Sequence, residues 1–349
     1  MRVPYSTVKS TIKKAFLNAG LTEEQAEICA ETHATTSLEG VQSHGLNRVA
    51  RFCDLVRNGS VDPKAKCELV SAKGAAENYD GHRGIGILNA KFCAARAIEL
   101  AKIHGIGLVA LRNTTHWMRG GTYAWDTAKA GYMSICWTNT EPCMPVWGAK
   151  SSSIGNNPFC IGIPRENGPI VLDMAMAQYS FGKLQVTRLA GDRLPYPGGF
   201  DKAGNLTDDP AAIEETKRVL PVGYWKGSGM AIALDMAAAM MSAGQPGHRI
   251  DAKKDGSCAG CSQIFIAYDP YLFSSREDVQ QMLDGIVETI HNAEPVEEGG
   301  KVYFPGERTA ITRETNLEAG VVVDPRVWEE VCLLAEGAEL ALNPELESK

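Results

Sequence analysis

"AKFCAARAIELAKIHGIGLVALRN", residues 90–113, joins two kinds of order in one stretch. Up to His104 its apolar and small residues recur at helical spacing, and Gly105 closes the pattern. A short apolar run, "IGLVALRN", follows at once and reads as a buried strand. Further strand candidates lie at "YMSICWTN" (132–139), "IVLDMAM" (170–176) and "QIFIAYD" (263–269). Helical patterns such as "GMAIALDMAAAMMSAG" (229–244) separate them, and that helix reads as buried. The alternation points to an α/β architecture.

Both chain ends read as helical. "YSTVKSTIKKAFLNAG" (5–20) stops at a glycine, and "TEEQAEICAETHATTSLEG" (22–40) opens with a capping-box pattern, Thr22 with Gln25. A third helix is expected from about Ser43, with Leu46, Val49, Ala50, Cys53 and Val56 as its buried stripe. "REDVQQMLDGIVETIHNA" (276–293) and "DPRVWEEVCLLAEGAELA" (324–341) supply the C-terminal helices. The expected division is a helical substrate-side unit at 1–67, an α/β cofactor-binding sheet domain at 68–273, and C-terminal helices, 274–349, packing on the first unit. "LPYPGGFDKAGNLTDDP" (194–210) is expected to be a long exposed loop.

A formal charge of −7, with no run of Lys and Arg, argues against nucleic acid as a partner. The first residues lack the apolar core of a secretory signal, and no stretch is apolar and long enough for a membrane span. The ten cysteines sit mostly in apolar contexts such as "PFCIGI", which suits reduced thiols acting as small hydrophobes. Cys258 and Cys261 form a CxxC, but no second ligand pair accompanies it, so no metal is expected.

The common nucleotide motifs are missing: there is neither a P-loop nor a G-x-G-x-x-G after a strand. "YWKGSGMAIALDM" (224–236) offers an aromatic face at Trp225, a cation at Lys226 and two glycines before a helix start. Those are ingredients of an anion site, and equally of a plain helix entry with a surface lysine. "EGVQSHGLNRVARF" (39–52) places His44 beside Ser43, four residues before Arg48. Arginine grips a carboxylate while histidine exchanges a proton near neutrality, a pairing suited to an oxyacid; a structural histidine with a solvated arginine fits the spacing as well. In "ALRNTTHWMRGGTYAW" (110–125), His116 falls just past the C-terminal end of a strand, where α/β folds place active sites, with Trp117 and Tyr123 as possible cleft walls. No G-x-S-x-G elbow is present to support a serine hydrolase.

Taken together, "SHGLNR", "GIGLVALRNTTHWMRGG", "ICWTNTEPCMPVWGAK", "IGNNP", "VLDMAMAQ", "LPVGYWKGSGMAIALDM" and "SQIFIA" resemble the malate/L-lactate dehydrogenase family that lacks a Rossmann fold. The resemblance runs in order from residue 1 to about residue 335. It implies a non-Rossmann mixed β-sheet with flanking helices, of the L-sulfolactate dehydrogenase type, plus a helical unit from both termini. It also implies a cytoplasmic homodimer that reduces a small 2-oxo acid, here a sugar-derived one, with NADH or NADPH. Malate, lactate, sulfolactate and ureidoglycolate chemistry stand as alternatives within the class, and a non-catalytic binding protein outside it. The family's proton donor falls on His44, with Arg48, Ser43 and His116 on the substrate side. Its cofactor contacts fall on Ile170, Asp173, Met174 and Ala175, on Trp225 and Lys226, and on Gly306, Glu307 and Arg308. Asp173 is expected to steady His44 as imidazolium. The chain departs from the pattern at Thr140, at "GHRIDAKKDGSCAGCSQ" (247–263) and just after Gly306.

Overall fold

The computed structural model describes residues 1–340. The chain starts with a two-residue strand, β1 (Arg2–Val3), then α1 (Tyr5–Asn18) and α2 (Glu23–Leu38). The capping box on α2 is complete: Gln25 N donates to Thr22 Oγ1 at 3.3 Å and Thr22 N to Gln25 Oε1 at 3.0 Å. The helix expected from Ser43 starts later. Two 3-10 turns, Gln42–His44 and Leu46–Arg48, precede α3 (Val49–Arg57). The cause is Gly45, whose ψ of −118° leaves the helical region. A side chain there would meet Ser37 Oγ at 2.2 Å, so this backbone lies directly on α2.

Next come β2 (Glu68–Lys73), β3 (Ala76–Asp80), α4 (Gly86–His104), β4 (Ile106–Thr114), α5 (Gly121–Lys129) and β5 (Met133–Thr138). A small pair, β6 (Met144–Pro145) and β7 (Ser152–Ile154), leads to β8 (Phe159–Ile163), β9 (Ile170–Met174) and α6 (Phe181–Ala190). The expected long loop at 194–210 folds into a hairpin, β10 (Gly199–Phe200) with β11 (Leu206–Thr207), that packs on α7 (Pro210–Thr216). Leu194 and Gly198 are buried, which anchors it. Then follow α8 (Trp225–Ser242), β12 (Cys261–Tyr268), α9 (Arg276–His291), α10 (Glu307–Ala319), β13 (Val321–Val322) and α11 (Pro325–Ala335).

Seven strands form one mixed sheet, in the order β2-β3-β4-β12-β5-β8-β9. Only β3 and β4 run parallel, joined by the α4 crossover; the other neighbours are antiparallel. Strand alternation supplies both faces. Val109, Leu111 and Phe265 pack under α4 and α5, while Ala110 and Ile264 face α6, α7 and α8. A separate core joins α1, α2 and α3 to β13 and α11. Each large side chain buried in these cores contributes about 1.5–3 kcal/mol.

The C-terminal helices divide. α10 and α11 rest on the N-terminal helices, and Asn316 Nδ2 donates to Leu38 O at 2.7 Å. α9 instead lies on the turn between β8 and β9, where Gln280 accepts from Glu166 N at 2.9 Å and Asp284 pairs with Arg165 at 2.6 Å. The expected C-terminal segment 341–349 lies outside the described residues. No helix among the described residues is long and apolar enough to cross a membrane.

Candidate active site

His44 sits in the first 3-10 turn, its Nδ1 2.9 Å from Ser43 Oγ. Gly182 at the start of α6 lets that helix close over the turn, since a side chain there would meet Ser43 Cβ at 2.2 Å. The half-buried His44 ring belongs to the wall shared by two cavities.

The larger cavity, of about 370 Å³, is bounded by Ser43, Gly120, the end of β9 from Leu172 to Ala175, and the turn at Gly306. Its volume is that of a small-molecule site. Gly306 has φ +88° and a side chain there would lie 3.0 Å from Val171 O, so the turn presses against β9. Val171 N donates to Pro305 O at 3.1 Å and pins it. α10 starts at this turn with no side-chain cap, and the positive end of its dipole favours an anionic group.

The smaller chamber, about 40 Å³, lies on the other side of His44. His116, Thr138, Thr140, Asn156 and Gln263 give it polar walls. His116 stacks on His44, ring centres 5.8 Å apart at 22°. Met118 N donates to His116 Nδ1 at 2.9 Å, which places the proton of the neutral ring on Nε2. Cys258 and Cys261 complete the chamber, and Cys258 Sγ donates to Glu141 Oε2 at 2.9 Å.

Burial pushes the His44 pKa down to about 4; the Arg48 cation adds to this and the Asp173 carboxylate opposes it. His116 is held well below the usual histidine value by burial first and Arg48 second. Arg48 is thus the strongest charge acting on both rings. Its Nε donates to Ser43 O at 3.2 Å.

Asp173 lies in the larger cavity but makes no hydrogen bond to His44 among the described residues. Arg119 Nε takes its Oδ2 at 2.9 Å and Cys160 Sγ its Oδ1 at 3.3 Å. Asp173 therefore acts on His44 through its charge rather than a hydrogen bond. Gly121 makes room for the carboxylate, as a side chain there would meet Asp173 Oδ2 at 2.4 Å. Arg119 also pairs with buried Glu39, which in turn pairs with Arg313 of α10.

Of the other expected cofactor residues, Met174, Ala175 and Gly306 line the larger cavity. Ile170, Glu307 and Arg308 are outside its lining. Glu307 pairs with His291 at 3.0 Å and caps Phe304 N, and Arg308 stacks over Tyr303. Trp225 and Lys226 are exposed at the start of α8, away from both linings. Trp117 touches the chamber, whereas Tyr123 is a core residue that donates to Trp117 O at 2.5 Å. Arg119, Asn156, Thr309 and Gln263 at the cavities were assigned no role from the sequence. Asn156 in "IGNNP" and Gln263 in "SQIFIA" are polar residues in otherwise apolar or turn-forming runs, a signal that was available.

The histidine pair thus stands between a backbone-lined cavity and a small polar chamber, on a mixed sheet without Rossmann topology. The chain belongs to the malate/L-lactate dehydrogenase family, whose profile matches residues 3–332. It is 44% identical to 2,3-diketo-L-gulonate reductase of Klebsiella pneumoniae (strain 342), over 95% of this chain and 99% of that one. Sulfolactate dehydrogenase of Methanocaldococcus jannaschii superposes with a TM-score of 0.87 at 28% identity, covering 96% of this chain and 97% of the other. Malate dehydrogenase of Pyrococcus horikoshii OT3 gives 0.88 at 25% identity, covering 96% and 95%. The family implies a nicotinamide cofactor, and the residues present fit one: main chain of β9, an uncapped helix start on α10 and a histidine at the cavity wall.

Proposed function

We propose that the chain reduces a sugar-derived 2-oxo acid, 2,3-diketo-L-gulonate to 3-dehydro-L-gulonate, using NADH or NADPH. The observation that carries this reading is the position of His44, which faces the larger cavity and the small polar chamber together. The high identity to the Klebsiella reductase over nearly the whole of both chains supports the choice of substrate.

A bound nicotinamide cofactor supplies the hydride. His44 gives a proton to the oxygen of the reacting carbonyl, and in the reverse direction its neutral ring accepts it. His116 donates from Nε2 to the same oxygen or to a neighbouring hydroxyl. Arg48, the dominant charge at both rings, holds the substrate carboxylate, and that carboxylate offsets the cation that depresses His44. Asp173, clamped by Arg119, favours the imidazolium form through its field.

Met174, Ala175 and Gly306, which line the larger cavity, would hold the nicotinamide cofactor. The segment after Ala175 leads outward: Val222 N donates to Met176 O at 2.9 Å and Gln178 N to Leu220 O at 2.8 Å. Trp225 and Lys226, exposed three residues on and outside both cavities, would meet the outer part of the cofactor. Ile170, Glu307 and Arg308 act by shaping this wall. A second copy of the chain covers the outer face of α8, where Gly229, Ala233, Met236 and Met240 form an exposed stripe. The compartment is the cytoplasm, consistent with ten cysteines that are all free thiols.

The test is a panel of 2-oxo acids with NADH and with NADPH, followed by absorbance of the reduced cofactor. 2,3-Diketo-L-gulonate is expected to have the highest kcat/KM. His44→Ala is expected to lower turnover by about 10²–10⁴-fold while cofactor still binds. Unchanged turnover in that variant would sink the scheme.

A further inference from the structure

Gln263 stands on β12 and lines the small chamber beside His44 and His116. It is completely buried. Its Nε2 donates to Thr115 O at 3.3 Å and lies 3.7 Å from Cys261 Sγ. Those contacts orient the amide, because the reverse orientation would set Oε1 against the Thr115 carbonyl oxygen. Oε1 is left as a buried acceptor with no partner. The other oxygens of the chamber are engaged. Thr138 Oγ1 donates to Asn139 O at 2.9 Å, and Thr140 Oγ1 donates to Asn156 Oδ1 at 3.2 Å.

A buried acceptor without a donor is costly, and a chamber of about 40 Å³ admits only a small part of a substrate. Resting on the reductase reading, we propose that Gln263 is a specificity residue: its Oε1 accepts a hydrogen bond from a substrate hydroxyl on the first or second carbon beyond the reacting carbonyl. The ligand class is then a hydroxylated 2-oxo acid. An alkyl chain in the same place leaves the acceptor unpaired. A second carboxylate brings another acceptor against Oε1 and a like charge toward Glu141, which the chamber reaches through Cys258.

Two isosteric pairs test this: 3-hydroxypyruvate against 2-oxobutanoate, and 4-hydroxy-2-oxobutanoate against 2-oxopentanoate. In each pair a hydroxyl replaces a methyl. The wild-type enzyme is expected to favour the hydroxylated member of at least one pair by about 30-fold or more in kcat/KM. Gln263→Met is expected to cut that ratio at least about ten-fold, with turnover of the alkyl substrate kept or raised. Gln263→Glu, which keeps an acceptor, is expected to retain preference for the hydroxyl, and serves if the methionine variant fails to fold. Ratios near one in the wild type for both pairs, or a ratio unchanged in a folded Gln263→Met, overturn the assignment to Gln263 alone. Absence of turnover with every oxo acid and either cofactor overturns the reductase reading itself.

Discussion

His44 shows how much one residue owes to its surroundings. With its pKa near 4, the ring is neutral at pH 7, ready as a base and short of protonated acid. Reduction needs the protonated ring, so with cofactor saturating, log kcat/KM for reduction is expected to fall by about one per pH unit between pH 5 and 8. Binding of the substrate carboxylate beside Arg48 removes part of the depression, so the kcat profile should bend at higher pH than the kcat/KM profile. Arg48→Met removes the cation that lowers both histidines and is expected to move the kcat/KM inflection upward while lowering its maximum. An inflection that stays in place would show that Arg48 does not act on His44. From the sequence, His44 and Arg48 were legible as a candidate pair. The stacking of His116 on His44 was not, because these residues lie on separate segments.

At the scale of elements, the site is held by a chain of charges whose middle pair, Glu39 and Arg119, is buried. Glu39 at the end of α2 pairs with Arg119 before α5 and with Arg313 on α10, and Arg119 continues to Asp173 on β9. Removing Glu39 takes the ion-pair partner from Arg313 and leaves buried Arg119 with Asp173 alone. Glu39→Ala is expected to cost about 3–5 kcal/mol, read as a lower denaturation midpoint with unchanged slope. A loss below about 1 kcal/mol would mean that water replaces the carboxylate. Gly121→Ala forces a methyl group onto the Asp173 carboxylate, and is expected to cost about 1–3 kcal/mol and to reduce turnover together with it. Wild-type turnover in a folded Gly121→Ala would dissociate Asp173 from the chemistry. The glycines of "RGG" at 119–121 suit a close backbone approach to a ligand. The approach is real, but the neighbour of Gly121 is a carboxylate of the same chain.

For the whole molecule, α8 is the element whose two faces were read as one. Its apolar, alanine-rich sequence suggested full burial, yet only the face toward β4, β5 and β12 is covered. Met236 and Met240 are 67% and 76% exposed on the other. A helix apolar all round needs a partner on each side. Sedimentation is expected to give twice the mass of the chain, and Met236→Glu with Met240→Glu to give the single mass with the fold retained. A wild-type monomer, or a double variant that still associates, would place the outer face of α8 outside any interface.

By itself the sequence determined the class of fold, the family, the helices α1, α2, α4, α8, α9 and α11, the capping box on α2, and four strands of the seven-stranded sheet. Those properties rest on periods of two and 3.6 residues, on capping pairs and on runs of motif, all of which act within a few residues along the chain. Tertiary structure decided the rest: that Gly45 lies on α2 and delays α3, that Arg119 rather than His44 takes Asp173, and that Gln263, with an unpaired buried oxygen, borders the chamber. The partners concerned are 80 residues apart for Glu39 with Arg119, 148 for Gln263 with Thr115 and 274 for Glu39 with Arg313. Local pattern sets which face of an element is buried. Which charge or hydrogen-bonding group it meets there depends on how the sheet orders its strands and brings both ends of the chain together.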